Sequence, residues 1–365
     1  MHAATRKSRQ HRRAAATDDV VFLDGYQFAA KRTDQNAAKG LQGLAFPLLG
    51  LFGEVGTLLS ALKKKQRDQD SYAGYFDAIL EEFGDVLWYF SNIASRASLH
   101  LSVLAQRVYR NLENWGDVDV QRLATFDELP RRKASNASPD SPEFENAVIL
   151  LAGKVGLLLN DFSLRRIEQN RDALCAHLVE ILRALIDAAD MANVSLSTAA
   201  ARNVEKINSR WPEHRVYAPL FDDRFRSAEQ LPRKIEIHIT EEEVRGRLYV
   251  VQRWKGVKLG SSLTDNKLAP DDYRFHDVFH LAYAAILGWS PVIRALLKMK
   301  RKSDPQIDEA QDGARAILIE EGVSTLIFHH ALQLNYFASI RSLDYPLLKT
   351  VQDFVRGFEV EACPL

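Results

Sequence analysis

The chain has 365 residues, more than one hydrophobic core usually organises, so two or three domains are expected. Lys and Arg number 48, as do Asp and Glu, giving a formal net charge of zero. That balance excludes a global field for nucleic acid or an anionic membrane. The two cysteines, Cys175 and Cys363, form neither a disulfide framework nor a zinc-ligand spacing, and a reducing, cytoplasmic setting is expected. No apolar run is read as a membrane span.

Residues 1–18 are basic and lack the apolar stretch of a secretory signal, so they read as a disordered tail. Helical periodicity runs from Val20 to Trp115, giving a first unit at 19–116. Pro130, Pro139 and Pro142 among Ser, Asn and Asp mark 117–142 as a linker. A second helical unit covers 143–212, and a Pro-containing linker covers 213–234. In the last segment, 235–365, Ile235, Ile237 and Ile239 alternate with Glu236 and His238, which predicts a short strand with a hairpin partner at Leu248–Val251. The rest of that segment reads as helix. The expected fold is therefore mainly all-α: two related helical bundle units in tandem, then an α-rich C-terminal domain with a small β element.

The tandem reading rests on a repeat. Gly53-Glu54-Val55-Gly56 returns as Gly153-Lys154-Val155-Gly156, and Leu101-Ser102 returns as Leu196-Ser197. In the first copy, Leu48, Leu51, Phe52, Val55, Leu58, Leu59 and Leu62 make an apolar stripe. Glu54 and Thr57 share one face of that helix. A second stripe holds Ile79, Leu80, Phe83, Val86, Leu87, Phe90 and Ile93, with Glu82, Asp85, Tyr89 and Asn92 along one side and Glu81 adjacent. If two such helices pair, their carboxylates converge. Converging carboxylates suit a hard divalent cation, Mg²⁺ or Mn²⁺.

These motifs, in this order, resemble the MazG nucleotide pyrophosphohydrolases of the all-α NTP pyrophosphatase superfamily. Tyr26, Gln27, Ala30 and Thr33 resemble that family's first-helix signature. GEVG before a Leu-rich helix ending in lysines resembles its first metal motif, and EEFGDVLWYFSNIA its second. The resemblance implies metal-dependent hydrolysis of a nucleoside triphosphate to a monophosphate and pyrophosphate. It implies Glu54, Glu82 and Asp85 as metal ligands, Glu81 and Glu82 as catalytic carboxylates, and Asn92 as a substrate contact. Thr57 stands where the family has a further glutamate, which removes one charge from the site. That departure leaves a nucleotide-binding regulator with a weakened site, signalling through the C-terminal domain, as the alternative.

In the second copy Lys154, Leu157, His177 and Glu180 occupy the acidic positions, so no equivalent metal site is expected there. Asn203, Lys206 and Arg210 share a helix face and resemble the family's C-terminal motif. They would contact substrate, Lys206 and Arg210 holding phosphate oxygens. The two copies then act as a fused pseudo-dimer. Expected partners are nucleoside triphosphates, with no membrane and no specific nucleic acid, and a homo-oligomer (dimer) is anticipated.

Further along, His276 and His280 are four apart with Asp277 between, and Glu320, Glu321, His329 and His330 follow on another helical stretch. A second metal site from His276, His280 and Glu320 or Glu321 fits the spacing. The sequence reading favours buried, hydrogen-bonded histidines instead. This run resembles a C-terminal extension of some MazG-type proteins. Lys298, Lys300, Arg301 and Lys302 read as a solvated basic run.

Overall fold

A computed structural model describes residues 22–36, 38, 40–110, 124–129, 137–167, 170–212, 214 and 217–364. The N-terminal tail expected at 1–18 lies outside the described residues. The chain divides into two compact units, Met1–Glu213 and His214–Leu365.

The first unit is all-α among its described residues. Its helices are α1 (Leu23–Arg32), α2 (Ala45–Asp68), α3 (Tyr75–Arg96), α4 (Leu101–Arg110), α5 (Pro142–Ser163), α6 (Arg171–Met191) and α7 (Leu196–Arg210). The helix starts follow local chemistry. Ser141 accepts a hydrogen bond from Phe144 N with Pro142 behind it, and Asn170 and Ser195 cap α6 and α7 in the same way.

The repeat is written into the backbone. After α3, Ser98 adopts φ +56°, and Leu99 N donates to Ala94 O. After α6, Asn193 adopts φ +53°, and Val194 N donates to Ala189 O. Both are left-handed caps that turn the chain sharply into the next helix. Each copy contributes a hairpin, α2 on α3 and α5 on α6. The last helices are exchanged: α7 packs on α3, α4 packs on α6, and α2 meets α5. One continuous hydrophobic core runs from Leu23 to Ile207. The two copies are thus two halves of one core. The expected linker at 117–142 adds to that core through Phe126 and Leu129, each 4% exposed.

Two expectations need correction. Phe52, placed in the buried stripe of α2, is 47% exposed, because it shares an outer face with Phe46 and Leu49. That face, and the matching one of α5 with Ile149, Leu150 and Leu157, is open and apolar. As a result two helical segments, Ala45–Ser71 and Pro142–Ser163, are long and apolar enough to cross a membrane by length and composition. The sequence reading missed them because glycines and isolated charges interrupt any continuous apolar run.

The second unit opens with residues expected to be a linker. They are built into it instead: Asp222 is fully buried and Leu231 is 2% exposed. Three antiparallel strands follow, β1 (Ile237–Val244), β2 (Arg247–Trp254) and β3 (Val257–Leu263), in that order. The expected pair is β1–β2, with Val244 opposite Arg247, and β3 was not anticipated. Both turns are two residues long with positive φ at each, Arg245-Gly246 and Lys255-Gly256, as tight hairpins of strands with right-handed twist require. Among the described residues five α-helices complete the unit: α8 (Asp277–Leu287), α9 (Pro291–Leu297), α10 (Pro305–Ala310), α11 (Ala314–Gln333) and α12 (Tyr345–Phe354).

Apolar burial in this unit is modest, centred on Trp289, Val323, Val355 and Val360. Buried ion pairs supplement it. Arg301, read as part of a solvated basic run, is fully buried, with Nη2 at 2.7 Å from Asp312 Oδ1 and 2.6 Å from Glu359 Oε1. Arg294, also fully buried, pairs with Asp222 at 2.9 Å and donates to three backbone carbonyls. Planar guanidinium groups suit this task, since their donors diverge in fixed directions.

Candidate metal and anion site

The α2–α3 hairpin sets Glu54 beside Glu82 and Asp85. One carboxylate oxygen from each lies within 4.8 Å of the others. Burial, then the neighbouring Glu54, pushes the Glu82 carboxyl up to about 8, and a hydrogen bond from Thr57 only partly offsets them. Glu82 Oε2 is buried and has no hydrogen-bonding partner. An oxygen of this kind needs a proton or a cation. Thr57 cannot supply a charge; its hydroxyl is 3.2 Å from Glu54 Oε2 and also bonds backbone carbonyls of its own helix.

The far side of the cluster comes from the other copy, on α7. Asn203 Nδ2 donates to Asp85 Oδ1 at 2.8 Å. Lys206 Nζ lies 2.5 Å from Asp85 Oδ2 and 3.0 Å from Glu81 Oε1. Tyr26, fully buried on α1, donates to Asn203 Oδ1 at 3.0 Å and fixes its amide. Burial raises Asp85 to about 6, against the downward pull of Lys206. Lys206 thus contacts the carboxylates directly, where the sequence reading placed it on phosphate. Arg210 stands over Trp211, 5.3 Å from the ring centre.

One other assignment changes. Asn92, expected to touch substrate, is 2% exposed and donates to Trp88 O within its own helix. The first-helix signature faces inward: Tyr26 and Ala30 are fully buried and Gln27 and Thr33 nearly so. Gln27 bonds Leu99 O at 2.7 Å and receives Leu101 N at 2.9 Å, locking the turn between α3 and α4.

Gly84 was not singled out from sequence, although an isolated glycine inside a helix was the available signal. A Cβ there would sit 2.9 Å from both Ala199 O and Asn203 Cβ. Glycine therefore lets α7 approach closely enough for Asn203 and Lys206 to reach Asp85. Gly84→Ala would gain up to about 1 kcal/mol of helix propensity, but overpacking costs about 1–3 kcal/mol. The expected net result is destabilisation in denaturant unfolding, with α7 displaced. Wild-type or higher stability would refute the close-approach argument.

The matching place in the second copy holds its own counter-ion. Lys154, at the position of Glu54, lies 3.0 Å from Glu180, at the position of Asp85. His177, at the position of Glu82, pairs with Asp161 at 2.9 Å. An internal ammonium balances the one remaining carboxylate, so the pseudo-dimer is chemically one-sided. A surface cleft of about 450 Å³ near Lys65, Tyr75 and Asp140 is separate from the cluster. Lys65 lies roughly 16 Å along α2 from Glu54.

In the second unit, His276 and His280 are buried as the sequence reading favoured, and they come together with Asp277, Glu320 and Glu321. Burial disfavours a charged His280, but Glu320 and Glu321 outweigh it and push it up to about 9. His329 and His330 take no part in this cluster: His329 lies 3.5 Å from Gln333, and His330 lies 3.7 Å from Asp344.

An all-α core thus carries converged carboxylates, one orphaned buried oxygen and a lysine from the facing half, a cluster that could hold a metal ion. Residues 216–365 match the MazG C-terminal domain family, a span that closely follows the second unit. The chain is also similar to the Gene 37 protein of Mycobacterium phage L5, at 33% identity over 103 residues, which is 27% of this chain and 90% of that protein. No solved structure is significantly similar to it. The chain belongs to the MazG-related proteins.

Proposed function

We propose that the first unit is a Mg²⁺-dependent nucleoside triphosphate pyrophosphohydrolase, converting an NTP or dNTP and water to the monophosphate and pyrophosphate, and acting in the cytoplasm. The observation that carries this reading is the convergence of Glu54, Glu82 and Asp85 around a buried, unpartnered Glu82 oxygen. The donor set fits a hard divalent ion, because all three groups offer carboxylate oxygen. Glu54, Glu82 and Asp85 would hold Mg²⁺ or Mn²⁺, which supplies charge neutralisation at the phosphates and polarises water.

The protein's own groups have separable tasks. Asn203 and Lys206 fix Asp85, each on one oxygen. A carboxylate oxygen keeps a second lone pair after one hydrogen bond, so both remain able to ligate. Glu81, held by Lys206, would orient water or accept a proton from it. Arg210, at the end of α7, would contact phosphate.

The test is release of pyrophosphate and monophosphate from a panel of NTPs and dNTPs with Mg²⁺ or Mn²⁺. Glu82→Gln should reduce turnover about 100- to 1000-fold, the scale set by removing a principal electrostatic contributor. Turnover unchanged in that variant would overturn the assignment. Metal affinity carries a second check. Binding must displace the proton that Glu82 holds below about 8. Mn²⁺ affinity should therefore rise by up to about tenfold per pH unit from 6 to 8, then level off. A flat calorimetric profile across that window contradicts this.

A second reading has its own support. Thr57 brings a hydroxyl where the resemblance implies a carboxylate, and Lys206 is committed to Asp85 and Glu81. A weakened site of this kind would bind nucleotide and regulate through the second unit. Tight nucleotide binding with no product from any tested triphosphate would select it.

A further inference from the structure

The second unit holds a group of side chains that the proposed hydrolysis does not use. His276 closes the turn before α8, Asp277 and His280 follow on α8, and Glu320 and Glu321 lie on α11. His280 and Glu320 are fully buried, and His276 is 6% exposed.

The hydrogen bonds decide which ring nitrogens are available. His276 Nδ1 is 2.8 Å from Tyr273 O, an acceptor only, so Nδ1 is the donor there and Nε2 is the ring nitrogen left to act as a ligand. His280 Nδ1 is 2.9 Å from Glu320 Oε1. Glu320 also receives Ser290 Oγ at 2.5 Å and Val292 N at 2.8 Å. Glu320, already accepting from these two donors, faces His280 Nδ1 as an acceptor for a third hydrogen bond. His280 Nε2 is then turned into the cluster, buried, with no hydrogen-bonding partner.

What faces these two Nε2 atoms is oxygen. Asp277 Oδ1 lies 3.3 Å from His276 Nε2. Glu321 Oε2 lies 3.8 Å from His276 Nε2 and 3.5 Å from His280 Nε2 without hydrogen-bond geometry. These separations are close to the edge of a tetrahedron, about 3.4 Å for bonds of about 2.0–2.1 Å to nitrogen and oxygen. We propose that His276, Asp277, His280 and Glu321 form a binding site for one divalent transition-metal ion of the zinc class.

The surroundings match those that metal sites require. Three of the four ligands are held by a further group: His276 by a carbonyl, His280 by Glu320, and Asp277 Oδ2 by Gln252 Nε2 at 2.5 Å, from the central strand β2. The His276 ring also stacks on Tyr273, with centroids 4.3 Å apart and planes 1° from parallel. Glu321, at 40% side-chain exposure, is the solvent side of the site and its route of entry. Two imidazoles favour zinc-class ions over Mg²⁺, which prefers oxygen and keeps its water. The ion would clamp α8 to α11 and, through Gln252, to the sheet. This proposal stands whether or not the first unit hydrolyses nucleotides.

The test loads the full chain with Zn²⁺, dialyses it against metal-free buffer, and measures retained zinc together with its X-ray absorption spectrum. One retained equivalent with two imidazole ligands is expected. Imidazole scattering distinguishes it from ions held by Glu54, Glu82 and Asp85, which offer no nitrogen. His276→Gln and the half-exposed Glu321→Gln should each weaken Zn²⁺ binding by at least about tenfold, with unchanged circular dichroism. Gln252→Leu should weaken it less. A folded wild-type chain that retains no zinc, a spectrum with oxygen ligands alone, or wild-type affinity in both ligand variants would overturn the site.

Discussion

Lys206→Met should lower the stability of the first unit by about 2–3 kcal/mol at pH 8, and by much less at pH 5. Removing one partner of a buried pair costs about 3–5 kcal/mol. The lower figure applies here because Lys206 and Asp85 each keep 20% side-chain exposure. Asp85 already stands near 6 because burial outweighs its cationic partner. Without Lys206 it rises further. An acid whose folded value exceeds its unfolded one contributes stability that is present below the unfolded value and lost as pH rises through the folded one. The penalty therefore grows as pH rises through about 6. Urea unfolding at the two pH values, with Asp85→Asn as the partner in a double-mutant cycle, measures it. Equal losses at both pH values would mean that Lys206 acts by packing and not by charge.

The second large effect lies in the other unit. Arg301→Met should cost about 3–5 kcal/mol, because it strands Asp312 and Glu359 together. Both carboxylates now share one guanidinium, and Asp312 is fully buried. Arg301→Lys should recover little, since an ammonium cannot satisfy two forks at once. Hydrogen exchange around residues 301–312 and 359 reports the loss. Wild-type protection in Arg301→Met would show that the modest apolar core suffices without the network.

The helical class, the repeat and the acidic trio were legible because each depends on short spacing. Residues three or four apart share a helix face wherever the helix packs. Glu54, Glu82 and Asp85 were read this way, and the structure brings their oxygens together. Long-range pairing was less legible. Nothing near Lys206 in sequence says that it meets Glu81 and Asp85, more than 120 positions earlier. Arg301 sits in a run that looks solvated, yet Asp312 and Glu359 draw it inside. Asn92 continues the acidic face by spacing, and only the bundle shows that this end of the face is closed. The third strand was hidden because Gly260, Ser261 and Ser262 in its interior read as a turn and interrupt the apolar alternation.

The exchange of α4 and α7 between the two halves has a consequence for concentration. In an assembly of separate subunits, a site shared across the interface dissolves when the subunits part, so its population falls with dilution. Here Asp85 and Lys206 belong to one polypeptide, and their meeting is intramolecular. The site should survive at nanomolar or lower protein, with per-molecule behaviour independent of copy number. Covalent fusion also frees the halves to diverge. A substitution in a symmetric pair is felt twice, whereas in this chain lysine could replace the second glutamate at position 154 while Glu54 stayed acidic.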